Sequence, residues 1–187
     1  MLEEIKNKLP FYAKDLKLNL SSLMREETLS PVRRYGALFA AALASGNASL
    51  IQAASIEAAR HLSDAEMDNV KAANAMMGMT NIYYRFLHMA KDSMYGQMAP
   101  GLRMQIIGNP PADKIDFELY SLVVSVVNGC EYCVAAHDAA LKNAGLTPEA
   151  IQAGVRIAAT VHGAASVLIG EECLVGENEP EKSAHAA

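Results

Sequence analysis

The chain has 187 residues with 51% hydrophobic and 20% charged side chains and a net charge of −5, which excludes bulk disorder and lacks the concentrated positive field that nucleic acid or an anionic membrane demands. Three cysteines are too few for a secreted disulfide scaffold, and two of them stand three residues apart, so cysteine here points to chemistry rather than framework. Alanine is the commonest residue, leucine and methionine are prominent, aromatics are 6% and tryptophan is absent, so summed propensity favours an all-α fold, a compact multi-helix bundle.

Taken in chain order, Met1 to Lys8 carries charges of both signs and lacks the apolar stretch of a signal peptide, which predicts a cytoplasmic protein with reduced thiols. Ser30 before Pro31 marks a helix start. The longest uninterrupted apolar run, Ala37 to Ala44, is far short of the ~20 residues of a membrane span, so no transmembrane helix is expected. Gly46-Asn47 marks an end, and Ser63 with Glu66 forms a capping box. Met76-Met77-Gly78-Met79 reads as core filler.

Prolines and glycines gather from Ala99 to Ala112, dividing an N-terminal half (1–98) and a linker (99–112) from a C-terminal half (113–175). Leu122 to Val127 is rich in β-branched residues, but a lone strand would leave its ladder unsatisfied, so a buried helix is expected there. Asn128-Gly129, then Asn143-Ala144-Gly145, mark helix ends, and Thr147 before Pro148 marks a start. Residues 176–187 have too little apolar content to pack and read as a mobile tail without function.

Laid on each other, the halves suggest an internal duplication at an offset of about 84: Arg33-Arg34-Tyr35 parallels Glu118-Leu119-Tyr120, and His61 to Met67 parallels Gly145 to Ile151. In that register Ser45, Ala48 and Gln52 stand opposite Cys130, Cys133 and His137, leaving reactive groups in one copy.

Chemistry concentrates in Asn128-Gly129-Cys130-Glu131-Tyr132-Cys133-Val134-Ala135-Ala136-His137. A helix starting after Asn128-Gly129 puts Cys130, Cys133 and His137 on one face. At a helix N-terminus a C-x-x-C pair closes a disulfide reversibly, and the partial positive charge there favours a thiolate. His137, one turn after Cys133, is placed to take that thiol's proton directly or through one water. Glu118 precedes the turn at a distance that sets it level with His137 in an antiparallel hairpin, so it can orient the imidazole.

Other readings stand beside this one. A C-x-x-C is also half of a zinc site, with His137, His162 or Cys173 as further ligands, but no second C-x-x-C or spaced histidine pair completes it, so no metal is expected. A packing role for both cysteines sits poorly with a histidine at the same helical phase. His162 and Cys173 read as core or interface residues, and Glu131 and Asp138 as a solvated face.

The combination of Glu118, Cys130, Cys133 and His137, with the stretches Leu9 to Ser22, Met77-Gly78-Met79-Thr80-Asn81, Pro100 to Met104 and Phe117-Glu118-Leu119, resembles the alkyl hydroperoxidase D family of the carboxymuconolactone decarboxylase-like superfamily. The resemblance runs to about residue 172. It implies a helical subunit of that family's fold in a homo-oligomer, a trimer, that serves antioxidant defence as a thiol peroxidase and disulfide reductase. No cofactor is held. Electrons pass from dihydrolipoamide, carried on a lipoylated acyltransferase served by lipoamide dehydrogenase, to a partner peroxiredoxin, alkyl hydroperoxide reductase C.

The resemblance further implies that Cys133 is the peroxidatic thiol, oxidised to sulfenic acid, and that Cys130 is the proton donor and resolving thiol that exchanges with the peroxiredoxin. His137 and Glu118 become the base relay and its orienting group. Tyr132 departs from members with a second histidine between the cysteines, and a tyrosine does not act as a base near neutral pH. The helix dipole favours ionising Cys130 whereas the relay favours Cys133, and a directly coupled base acts on one sulfur, which selects Cys133 for peroxide. Cys130, nearer the helix tip, is expected to be the more exposed. The superfamily leaves a lactone-acid decarboxylase as an alternative function, and a zinc-bound interaction module as a second.

Overall fold

A computed structural model describes residues 2–90 and 93–176. Among these there are helices and no strand: α1 Leu2–Lys8, a 3₁₀ turn Phe11–Ala13, α2 Lys14–Leu23, α3 Pro31–Ser45, α4 Ala48–Ala58, α5 Asp64–Ala90, α6 Ser93–Gln97, α7 Gln105–Gly108, α8 Lys114–Asn128, α9 Glu131–Asn143 and α10 Pro148–Gly176. Part of the expected tail, 177–187, lies outside the described residues.

The caps form where local chemistry directs them. Ser30 accepts the amide of Arg33 at 3.3 Å ahead of Pro31. Glu66 Oε2 accepts the Ser63 amide at 2.7 Å, and Ser63 Oγ accepts the Glu66 amide at 3.4 Å, closing the capping box. Thr147 accepts from Ala150 at 3.3 Å.

Helices α3 and α8 lie at the centre. From Gly36 to Ala42 every residue of α3 is buried, and so is the stretch from Leu119 to Ser125 in α8. A helix buried all round is apolar all round, which is why the β-branched run of α8 looks strand-like in isolation and is helical here. At the α3–α8 crossing a Cβ on Gly36 would stand 2.3 Å from the Tyr120 ring, so only glycine permits this approach. Tyr120 donates its hydroxyl to the Val32 carbonyl at 3.2 Å across the same crossing.

The duplication is visible in the element order: α3, α4 and α5 match α8, α9 and α10. Left-handed Gly46 (φ 78°) and Gly129 (φ 67°) end α3 and α8, and Asn47 and Cys130 head α4 and α9. These caps correct the expected register by two residues. Asn47, Leu50 and Ala54, rather than Ser45, Ala48 and Gln52, stand opposite Cys130, Cys133 and His137. The two units interlock, with α5 packed on α8 and α10 on α3.

Among the described residues one helix, over Pro148–Leu174, is long and apolar enough to cross a membrane by length and composition, although its longest unbroken apolar run is short. Half of that window is buried, packed on α2, α3 and α8, as expected of a core helix. The segment 99–112 is more than a connection: it carries α7, and its Met104 and Ile107 wall the cavity described next.

Candidate active site

Gly129 reverses the chain in the left-handed region, a conformation that glycine adopts without steric cost, and α9 returns antiparallel to α8. Cys130 is the cap residue of α9 (φ −96°, ψ 96°), and its side chain makes no capping hydrogen bond. Its amide donates to the Ser125 carbonyl at 3.1 Å. Cys133 follows in the first turn, and both thiols are free.

The hairpin brings Glu118 of α8 to His137 of α9, with Oε2 2.7 Å from Nδ1. Both side chains are largely buried, so the charge-assisted bond is shielded from water. His137 Nε2 stands 3.1 Å from the Met77 sulfur. Nε2 faces Met77 rather than Cys133, and because a thioether only accepts, it donates there once it carries a hydrogen.

Burial first, and Cys130 beside it second, push the Cys133 thiol up to about 12, while the Asn81 side chain acts in the opposite direction. A thiol held there is almost wholly protonated at neutral pH. Cys133 and His137 share the wall of an apolar cavity of about 190 Å³ with Met77, Tyr84, Met104 and Ile107. Tyr132, exposed like Glu131 between the cysteines, stacks on Tyr84 with ring centroids 5.2 Å apart.

A buried polar network backs the thiols. Asn81 donates to Ser125 Oγ and accepts from Asn128 Nδ2, both at 3.0 Å. Arg85, one turn further along α5, donates to the Asn128 carbonyl at 2.7 Å.

The structure thus gathers Glu118, Cys130, Cys133 and His137 into one place. The expected exposure of Cys130 is overturned: Cys130 is 0% and Cys133 4% exposed, because α5 packs against α9. His162 and Cys173 are exposed on α10, not core. Among the described residues no group of three or more His, Cys, Asp or Glu is placed to hold a metal ion. Met77, read as filler, touches His137, and Asn81 and Arg85 were missed; a buried asparagine one turn from Met77 on an apolar helix face was the available signal.

The model of the carboxymuconolactone decarboxylase family matches residues 95–169. Over 170 residues the chain is 49% identical to the alkyl hydroperoxide reductase AhpD of Maricaulis maris, covering 91% of this chain and 98% of that protein. The protein of the same name from Azorhizobium caulinodans is 48% identical over 89% of this chain and 92% of its own. That of Brucella abortus is 47% identical over 89% and 95%. Similarity at this level along nearly the whole length of each protein establishes that the chain belongs to the alkyl hydroperoxide reductase AhpD family.

Proposed function

We propose that the protein is an antioxidant thiol peroxidase and disulfide reductase that reduces organic hydroperoxides, and the disulfide of a peroxiredoxin of the alkyl hydroperoxide reductase C kind, with electrons from dihydrolipoamide. The relatives' name supports the peroxide-reducing part. The observation that carries the thiol chemistry is the Cys130–Cys133 pair beside a small apolar cavity also lined by His137, itself held by Glu118.

A thiol as weakly acidic as Cys133 must lose its proton as it attacks. Neutral His137, with Nδ1–H on Glu118, accepts that proton at Nε2 through one water in the cavity. The resulting imidazolium donates to Glu118 and Met77, the two groups its nitrogens face. Cys133 sulfur then takes the distal peroxide oxygen as the O–O bond breaks, and His137 returns the proton to the leaving alkoxide, giving sulfenic acid and an alcohol. Cys130 attacks the sulfenic sulfur, water leaves, and a Cys130–Cys133 disulfide forms. Dihydrolipoamide restores the dithiol by two exchanges and departs as the cyclic disulfide. The lipoyl group arrives on an acyltransferase recharged by lipoamide dehydrogenase. The working unit is a homotrimer in the cytoplasm, and the chain needs no bound cofactor.

Thiol titration before peroxide, after peroxide and after dihydrolipoamide, with the disulfide mapped by mass, tests the proposal. Two thiols should be lost and regained, both in the Cys130–Cys133 peptide. Peroxide turnover that persists in Cys133→Ser would overturn it. Lactone-acid decarboxylation that survives loss of both thiols would favour the decarboxylase reading instead.

A further inference from the structure

The Glu118–His137 pair does not explain what steadies the Cys133 sulfur once it is ionised. His137 Nε2 is turned to Met77, and the sulfur is enclosed by apolar walls. Asn81 is fully buried, and one of its N–H groups has only a weak acceptor. Its oxygen accepts from Asn128, and one N–H goes to Ser125 Oγ. The second N–H is directed at the Met77 thioether, 3.7 Å away, and the Asn81 side chain also draws the Cys133 thiol down against the rise that burial imposes. Between a neutral thioether and an ionised thiol, the charged acceptor makes the stronger bond.

From this geometry we infer that Asn81 is a further catalytic residue: its side-chain amide donates to the Cys133 sulfur and stabilises the thiolate that attacks peroxide. The inference rests on reading Cys133 as the peroxidatic thiol. The bond is weak to the resting thiol and strengthens as charge develops, so it favours the reacting form over the ground state. Arg85 and Asn128 keep the amide aimed, because Arg85 fastens the end of α8 and Asn128 fixes which face of Asn81 carries the N–H groups. The duplication supplies a contrast. In α10 the positions matching Met77, Asn81 and Arg85 are Val161, Ala165 and Ile169, and the first unit, which those positions serve, holds no thiol.

The test is the pH profile of iodoacetamide alkylation in a chain whose one remaining cysteine is Cys133, made by Cys130→Ser and Cys173→Ser. Asn81→Leu keeps close to the side chain's size and removes the donor without adding a charge, whereas Asn81→Ala removes the donor and opens space beside the sulfur. Each should displace the rising limb of the profile upward by about one pH unit, a roughly tenfold slower reaction at pH 8. A packing role alone predicts no change for leucine and faster alkylation for alanine. A folded variant of either kind that reacts as fast as its parent, or faster, overturns the inference. The assay reads Cys133 directly, so it decides Asn81 whatever Cys133→Ser does to turnover. If Cys133→Ser abolishes turnover and the profiles do not move, Asn81 alone loses its assignment.

Discussion

At the head of α4, Asn47 Oδ1 accepts the Leu50 amide at 2.9 Å; at the matching point of the second unit, Cys130 heads α9 with no side-chain cap. Three residues on, a buried leucine stands opposite Cys133, and Ala54 stands opposite His137. The two units keep the same turn glycine and the same third-helix start. They differ where one completes its core and the other leaves donors, thiols and a base around a cavity. An Asn cap contributes ~1 kcal/mol, and its absence at α9 leaves the first-turn amides without a side-chain acceptor and a partial positive charge beside the thiol pair. The second unit gives up local stability at the place where a thiolate gains from it.

The sharpest way to break this contrast is to exchange the effects of matching positions. Cys133→Ser should lose all dihydrolipoamide-dependent turnover while keeping its fold. Its counterpart Leu50→Ala should destabilise by about 2–5 kcal/mol, measured by denaturant unfolding, with turnover per folded molecule retained. Equal damage to turnover from Leu50→Ala would erase the division of labour. Next in size, Glu118→Gln should slow turnover by roughly 10²–10⁴-fold, the range expected for loss of an acid–base partner, with no comparable loss of stability.

Asn47→Ala should cost ~1 kcal/mol from the lost cap, whereas Cys130→Ser in the reduced chain supplies a capping oxygen and should come out neutral or slightly more stable. A separate effect is in pH. Cys133 is held up at about 12 from an ordinary 9.0, so between those values the unfolded chain releases this proton while the folded chain keeps it. That contribution is fully present below pH 9 and is lost as pH rises toward 12. Stability measured relative to Cys133→Ser should therefore fall across that window; a flat difference would contradict the buried environment of the thiol.

The parts of this arrangement governed by neighbours in sequence were legible. Caps at Ser30, Ser63 and Thr147 follow from side chains acting on amides within a turn. The Glu118–His137 encounter follows from rise per residue in a helical hairpin. Strand propensity in Leu122 to Val127 was correctly overruled, since it is a weak preference beside all-round burial in a central helix. The duplication was visible, but alanine-rich helices align in many registers, and only the caps at Gly46 and Gly129 fixed it. Met77, Asn81 and Arg85 were not legible as a site, because they meet the α8–α9 hairpin across a tertiary contact from α5. The misjudged exposure of Cys130 has the same source: a helix tip is open to solvent until another helix covers it.

Full burial of Cys130, with its amide on the Ser125 carbonyl, bears on which electron carriers can reach the dithiol. A slender dithiol arm would meet the pair through the cavity beside Cys133 with the hairpin closed. A folded protein carrier would need the α8–α9 turn to open before its sulfur could meet Cys130. Exchange with such a carrier would then run at the opening equilibrium of that turn multiplied by the intrinsic exchange rate. Loosening the turn would speed bulky carriers and leave slender ones unaffected, making the hairpin a discriminator by width.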